Sequence, residues 1–476
     1  MILELDKPIG LFYLLLELVG ITLAIDVIMR GRTPQGTVAW AVALVMMPML
    51  SIPCYLIFGS RRFIGYVRAL RKGKERIHDR ARQLREDLGD WRIESRAPEL
   101  TAFERLARLP FTHGNRTKLL IDGEATFAAI FAAIEAAQTS VLVQYYTVQN
   151  DGLGNRLREL LERKAKQGVE VLFIADRIGS AGLPESYLKS LRLAGAEAEF
   201  FRTKKFGTIR YQINFRNHRK IVVVDGRIGF VGGLNVGDEY LGLVPALSPW
   251  RDTHLEIEGP AVKALQLAFA EDWHWITGRL PQRDWTCPPP SAGSGGEALI
   301  IATGPADELE SCSLLFGQAI ARARKRLWIA CPYFVPENDI LHALQLAALR
   351  GVEVRVLIPS RSDNPLVRLS AYSYFEEAGR AGVRFWRWKD GFMHQKVVLV
   401  DDDLAFIGTA NMDNRSFRIN FEITAVLHDR EAAAAVDKML RQDFNRSQAV
   451  GSPSRLMSTW LARLAVRLSR LLSPLQ

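Results

Sequence analysis

The stretch "NHRKIVVVDGRIGFVGGLN" occupies Asn217–Asn235, and "MHQKVVLVDDDLAFIGTAN" occupies Met393–Asn411. Each carries a His, a Lys two residues on, an Asp five further, a Gly seven beyond that and an Asn three beyond the Gly. The second copy follows the first at an offset of 176 residues. Duplication of a purely structural pattern would preserve apolar positions. Here the polar ones recur, so the pattern points to chemistry.

The surroundings repeat as well. "VLVQYYTVQNDGLGNRLRELLERKAKQGVEVLFIADR" begins at Val141 and "LWIACPYFVPENDILHALQLAALRGVEVRVLIPSR" at Leu327. Each reads strand, turn, amphipathic helix, Gly and a Val-rich strand. A further helix ends near Ala194-Gly195 or Ala381-Gly382, a short strand follows, then the motif, then a last strand and helix. Alternating strands and helices predict two α/β domains, over 115–277 and 298–447, each with helices covering a central sheet. They are expected to pack as a pseudo-dimer with both motifs facing one cleft. Between them, "GRLPQRDWTCPPPSAGSGGE" at 278–297 has three consecutive prolines followed by Gly and Ser, and reads as a linker.

The alternation in "HRKIVVVD" places His218, Lys220 and Val222 on one face of a strand, with Ile221 and Val223 on the other. An imidazole beside an ammonium suits a phosphoryl group. The His can attack phosphorus or carry protons near neutral pH, and the Lys neutralises the phosphoryl oxygens. Asn235 can donate to the same oxygens, and His394, Lys396 and Asn411 repeat the set. Two such half-sites allow a two-step displacement through a phosphohistidine, with the second His moving protons. This chemistry requires no metal and no cofactor.

Asp225 and Asp401 end their predicted strands, where capping the next turn is their expected work, although both belong to the motif and are counted with its catalytic set. Each His also needs a partner for its other ring nitrogen. Asp252 in "WRDTHLEIEG" lies 34 residues after His218, and Glu422 in "NFEITAVLHD" lies 28 after His394. Each would orient the His of its own half.

The ends of the chain speak for a membrane. Gly36–Gly59 is 24 residues without a charge, long enough to cross a bilayer, and Gly10–Met29 is of similar length but carries Glu17 and Asp26. Residues 1–60 therefore read as a two-helix transmembrane hairpin, with Glu17 expected to face protein within the helix bundle. The connector at 61–114 opens on a basic run. Ser60–Arg85 holds ten Lys or Arg, against Arg30 and Arg32 in the loop between the helices, so both termini are placed in the cytoplasm. The last segment, 452–476, is a basic amphipathic helix with Leu456, Trp460, Leu461, Leu464 and Leu468 on one face. It suits a membrane interface or the protein's own surface.

The whole chain has 476 residues, 48% of them hydrophobic and 24% charged, which is the make-up of a folded protein of two or three domains. An excess of 62 basic over 52 acidic residues favours an anionic partner. The hairpin and the amphipathic end favour lipid over nucleic acid. Cys54, Cys287, Cys312 and Cys331 have no metal-ligand spacing and are expected as reduced thiols.

The two stretches match the His-x-Lys-x4-Asp-x6-Gly-x-x-Asn signature of the phospholipase D superfamily. "NFRNHRKIVVVDG" from Asn214, "WRDTHLEIEGPAV" from Trp250, "CPYFVPENDIL" from Cys331 and "GTANMDNRSFRINFEI" from Gly408 resemble bacterial cardiolipin synthases. The resemblance covers nearly the whole chain. It implies tandem phospholipase D-like α/β/α domains and condensation of two phosphatidylglycerols into cardiolipin and glycerol. By the superfamily's usual assignment, His218 is the nucleophile and His394 the general acid/base. The implied partners are phosphatidylglycerol and anionic membrane lipids, with a homo-oligomer left open. The implied place is the bacterial inner membrane, with the catalytic domains on the cytoplasmic side. Many members carry Ser after the motif Gly, whereas here Gly233 and Thr409 stand there. This departure leaves Gly233 a backbone contributor only. A hydrolase releasing phosphatidic acid would use the same residues, and the acceptor pocket would decide between the two. Among the aromatic residues that could shape that pocket, Tyr145, Tyr146, Tyr372 and Tyr374 are candidates, and Tyr333 and Phe334 are the first choice for the acyl path.

Overall fold

The structure, a computed structural model, describes residues 6–30, 34–59, 83–84, 86–92, 97–202, 215–281, 295–361, 365–451 and 459–471. Most of the basic run at 60–85, most of the Pro/Gly-rich linker, and Arg32, Cys287, Arg455 and Leu456 lie outside the described residues. The chain divides into two units: one holds the N-terminal helices, the other both repeats.

In the first unit, α1 (Asp6–Arg30) is a single helix whose 25 residues rise about 37 Å, enough for the hydrocarbon core. The second apolar run is not one helix. It breaks into α2 (Pro34–Met46) and α3 (Pro48–Phe58), with Met47 at φ −139°. Pro48 excludes the residue before it from the helical region, so the break falls where the proline dictates. Gly20 lets α1 approach α2, since a Cβ there would overlap the Leu44 carbonyl. Ala24, Val27 and Leu44 form the small shared core. Asp26 is held inside the unit by the Tyr55 hydroxyl at 3.2 Å. Glu17, expected to face protein, is instead exposed.

The second unit is built twice. In the first half, β1 (Thr112–Ile121), α4 (Asp122–Ala136), β2 (Ser140–Tyr145), α5 (Gly152–Lys166), β3 (Glu170–Asp176), α6 (Glu185–Leu193), β4 (Glu197–Phe201), β5 (Ile221–Val224), β6 (Ile228–Gly232), β7 (Thr253–Glu258) and α7 (Val262–Thr277) follow in order. The second half repeats the plan with β8 (Gly296–Thr303), α8 (Ser311–Arg322), β9 (Arg326–Ala330), α9 (Asn338–Leu349), β10 (Glu353–Pro359), α10 (Pro365–Gly379), β11 (Arg384–Trp388), β12 (Val397–Val400), β13 (Leu404–Gly408), β14 (Asn420–His428) and α11 (Arg430–Asn445). A short edge strand, β15 (Ser447–Ala449), pairs with β11, and α12 (Trp460–Leu471) comes last.

All these strands form one sheet, in the order β15-β11-β10-β9-β12-β13-β14-β8-β1-β7-β6-β5-β2-β3-β4. Reading outward from the centre, the halves match strand for strand, and the antiparallel pair β1/β8 joins them. The outer strands β2, β3 and β4 are parallel, as are β9, β10 and β11, which their crossover helices require. Val141, Val143, Phe173 and Val222 on one face of the first half pack under α4–α6 with Ile134, Leu161 and Leu188. The sheet thus buries both faces and carries each motif hairpin near the middle of its half.

Candidate active site

The His-Lys pairs stop short of the strand that their alternation predicts. β5 begins at Ile221 and β12 at Val397, so both pairs lie in the extended lead-in. Each lead-in pairs with the opposite half. Arg216–Asn217 runs parallel to Asn420–Phe421 at the start of β14, and the His218 N–H donates to the Phe421 carbonyl at 2.9 Å. Phe392–Met393 runs parallel to Trp250–Arg251, and the His394 N–H donates to the Arg251 carbonyl at 2.8 Å. The residue after each accepting carbonyl is a carboxylate, Glu422 or Asp252.

The expected pairing of carboxylate and His is therefore reversed. His218 Nδ1 lies 2.9 Å from Glu422 Oε2, and His394 Nδ1 lies 2.9 Å from Asp252 Oδ2. Spacing along the chain favoured partners within one half, but the crossed lead-ins carry each His to the other half's last strand. Neither half holds a complete His-carboxylate pair.

Burial governs the charges here. It holds both imidazoles down at about 4, against the pull of Glu422 on His218 and of Asp252 on His394. Burial likewise lowers the Lys220 ammonium to about 7, with Lys396 adding like charge against the attraction of Glu422. Lys396 also disfavours charge on His218, and Lys220 on His394, so the two pairs share one electrostatic centre. Burial opposes ionisation of Glu422 and Asp252, yet the facing His and Lys groups keep both carboxyls below their ordinary range. Neutral rings thus donate Nδ1–H to carboxylates, which turns Nε2 outward as a base or nucleophile.

The halves differ in detail. Lys220 Nζ donates to the His218 carbonyl at 2.7 Å and lies 5.5 Å from the Tyr146 ring centre. Lys396 Nζ donates to the His394 carbonyl at 2.6 Å and lies 2.9 and 3.0 Å from the two ring nitrogens of His394, Nδ1 and Nε2. Among the described residues, no hydrogen bond engages His218 Nε2. Tyr146 stands edge-on to the His218 ring at 5.0 Å, while Trp250 and Phe392 flank His394 at 5.4 and 6.0 Å.

The remaining motif residues separate into two groups. Asn235 and Asn411 are buried near the centre: Asn235 accepts from the Thr147 N–H and donates to the Tyr240 hydroxyl, whereas Asn411 Oδ1 has no hydrogen-bond partner among the described residues. Asp225 and Asp401 do not reach the histidines. They stand at the far ends of β5 and β12 in left-handed backbone, φ 51° and 53°, and accept backbone N–H groups from Gln138–Ser140 and Arg324–Arg326. They tie the hairpin to the start of the neighbouring strand, which is the capping work expected of them.

Thr409 and Gly233 follow the same crossed logic. The Thr409 hydroxyl donates to Glu422 Oε2 at 2.6 Å, so it serves the carboxylate behind His218. At Gly233 a Cβ would overlap the Asp252 carboxylate, and its backbone N–H bonds Thr253 O at 3.0 Å. Asp252 is one methylene shorter than Glu422 and fills the space that a side chain at 233 would need.

Sequence reasoning treated the residue between His and Lys as a spacer. Arg219 is buried and pairs with Asp272 on α7 at 3.0 Å, and its Nε donates to Glu422 O at 3.1 Å. Gln395 donates to Asp443 on α11 at 2.9 Å, and Arg251 clamps the same Asp443 at 2.8 and 3.0 Å. The signal was present: Asp272 and Asp443 are acids on otherwise apolar helix faces. Also missed were Arg216, two residues before His218, and Arg415 in the short helix 414–418; they are near enough to repel one another, and both adjoin Tyr146. Of the aromatic candidates, Tyr145 is core, whereas Phe334 and Tyr372 line a cavity with Pro332, Phe375, Arg368 and Arg387.

Comparison with known proteins agrees with this architecture. The family model described as "Cardiolipin synthase, PLD-like domain" matches residues 130–273 and 316–444, and the model "Phospholipase_D-nuclease N-terminal" matches 18–60. The chain is 48% identical over 466 residues to cardiolipin synthase A of Pseudomonas entomophila (strain L48), covering 97% of each. It is 46% identical over 474 residues to cardiolipin synthase A of Pseudomonas aeruginosa (strain LESB58), covering 98% of this chain and 96% of that one. Its fold resembles the crystal structure of phosphatidylserine synthase from Haemophilus influenzae Rd KW20, with a TM-score of 0.61 at 15% identity, covering 79% of this chain and 100% of that one. Duplicated halves, a shared His-Lys centre and full-length likeness together place this chain in the cardiolipin synthase family of phospholipase D-like proteins.

Proposed function

We propose that this phosphatidyltransferase condenses two phosphatidylglycerol molecules into cardiolipin and glycerol through a phosphatidyl-histidine. The observation that carries the reading is the crossed pairing of His218 with Glu422 and His394 with Asp252, which makes one site from both halves. In the first step His218 Nε2 attacks phosphorus, the P–O bond to the headgroup glycerol breaks, and protonated His394 gives its proton to the departing oxygen. A phosphodiester anion between Lys220 and Lys396 favours the protonated His394, offsetting its burial. In the second step His394 takes the proton of a glycerol hydroxyl on the second lipid. That oxygen attacks phosphorus, the N–P bond breaks, and His394 ends protonated again. Nδ1 of His218 is held by Glu422 and, among the described residues, no hydrogen bond engages its Nε2, which supports His218 as the attacking group. Arg216 and Arg415, beside Tyr146, suit the second lipid's own phosphate.

The same reading places the chain in the bacterial inner membrane as a multi-pass protein with its catalytic halves on the cytoplasmic side. The apolar α1 and the ten Lys or Arg of Ser60–Arg85 support it. The test is mass spectrometry of products from the purified full chain in phosphatidylglycerol liposomes. Cardiolipin with matching glycerol is the expected result. Phosphatidic acid alone would make the protein a hydrolase and sink the proposal.

A further inference from the structure

Helix α12 is docked with its weaker face inward. It packs on α10 through Val466 and Ser469, which are 4% and 3% exposed, and Arg470 pairs with Glu377 at 2.8 Å while covering the Tyr374 ring at 4.7 Å. On the opposite side Trp460, Leu461, Leu464, Leu468 and Leu471 are 67, 70, 37, 53 and 74% exposed. At 100° per residue these five fall within one contiguous stripe, turned about 170° from the docked face. A helix with water on its outer side would turn its leucines inward and Ser469 outward. This one does the reverse, so its outer stripe has an apolar partner.

Charge identifies that partner. Arg463 and Arg467 are exposed and lie along one margin of the stripe, where their stems can follow apolar surface while the guanidiniums reach headgroup phosphates. Among the described residues of α12 there is no acidic side chain to repel such a surface. An apolar stripe edged by arginines matches a bilayer interface containing anionic lipid, whereas the face of a second copy would bring the same arginines together.

We infer that α12 is an interfacial membrane dock, which seats α10 and the second half against the surface of an anionic bilayer independently of the N-terminal helices. One consequence is that the cavity lined by Phe334, Tyr372 and Phe375, bounded by α10, lies near the lipid surface. That consequence, though not the dock itself, rests on the lipid-transfer reading.

The experiment is spin-label depth measurement on the full chain in vesicles. Single labels at Leu464→Cys and Leu468→Cys are compared with one at Leu193→Cys, an 80% exposed site on α6. Cys54→Ser and Cys287→Ser remove the reactive background; Cys312 and Cys331 are buried. In phosphatidylglycerol/phosphatidylethanolamine vesicles, the ratio of oxygen to nickel-chelate accessibility should be at least fivefold higher at 464 and 468 than at 193. It should fall in pure phosphatidylcholine and with Arg463→Glu/Arg467→Glu. A ratio equal to that at 193 overturns the dock, and dipolar broadening between copies would assign the stripe to a second chain instead. Depth unchanged in phosphatidylcholine would overturn the anionic surface. The readout needs no turnover, so a failure to make cardiolipin leaves it intact, and the reverse holds too.

Discussion

Glu422 of the second half accepts the Nδ1–H of His218 in the first, across 204 residues of chain, and Asp252 returns the arrangement to His394 across 142. Each imidazole is oriented by a carboxylate whose backbone is fixed beside it through the preceding carbonyl. The exchange makes the proposed reaction a property of the paired halves, and it lets mutation address the proposed nucleophile and the proposed proton carrier separately.

On the proposed roles, Glu422→Gln acts on the nucleophile, so it should abolish formation of a phosphatidyl adduct on His218 and lower turnover by about 100- to 10,000-fold. On the same roles, Asp252→Asn weakens a proton carrier that serves both steps, so it should slow adduct formation and cardiolipin release alike without abolishing the adduct. Intact-mass analysis after exposure to phosphatidylglycerol reads both. Adduct in Glu422→Gln but not in Asp252→Asn would reverse the assignment of roles.

Burial holds the His218 ring at about 4, whereas the unfolded chain protonates it at about 6.5. Between these values the unfolded state carries the proton and the folded state does not. Stability therefore rises with pH through this window and is lost as pH falls through it, by about 1.4 kcal/mol per unit for each such imidazole. The melting temperature of the full chain in detergent should drop from pH 6.5 toward 4, and His218→Gln should flatten the slope. An unchanged slope would mean that the ring is not buried neutral.

Thr409 should be sensitive to loss of its hydroxyl and Gly233 to added bulk. Thr409→Val removes a hydrogen bond to a charged acceptor, about 1.5–3 kcal/mol, and should slow turnover roughly tenfold or more, while Thr409→Ser should stay near the parent. Gly233→Ala forces Asp252 aside and should slow turnover by at least about tenfold, at a stability loss of about 1–3 kcal/mol. Initial rates and thermal shifts on the same preparations decide; a fully active Gly233→Ala would show that Asp252 can move without consequence.

Arg251 and Gln395 both depend on Asp443, which is buried. Asp443→Ala leaves Arg251 Nε and Nη2 without their carboxylate while Nη1 keeps Asp122 at 3.0 Å, and should lower stability by about 3 kcal/mol. Chemical denaturation of the purified protein measures it, and a loss under about 1 kcal/mol would leave the clamp without energetic weight.

Arg415→Gln should raise KM for phosphatidylglycerol roughly tenfold when that lipid is the acceptor, with a much smaller effect on a neutral alcohol acceptor. Equal effects on both would remove Arg415 from the seat of the second phosphate.

Much of this was legible in the chain. The repeat, the order of strands and helices, the two His-Lys pairs and the apolar α1 all rest on short-range patterns: side-chain period, turn residues, spacing. The break at Pro48 was equally local, and a count of uncharged residues overlooked it because hydropathy ignores backbone geometry. Asp225 and Asp401 belong both to the motif and to the turns that follow it, and their hydrogen bonds are those of turn caps.

By itself, then, the amino-acid sequence determined that the protein is a duplicated α/β chain with twin half-sites and an apolar N-terminal segment, because each of those features is written in neighbouring residues. Only the tertiary structure decided which carboxylate serves which histidine, why Gly233 is bare and Thr409 is not, and which face of α12 stays outside. Those outcomes depend on strands that pair across the two halves and on which surface a helix finds to pack against. No spacing along the chain encodes contacts made at separations of 142 and 204 residues.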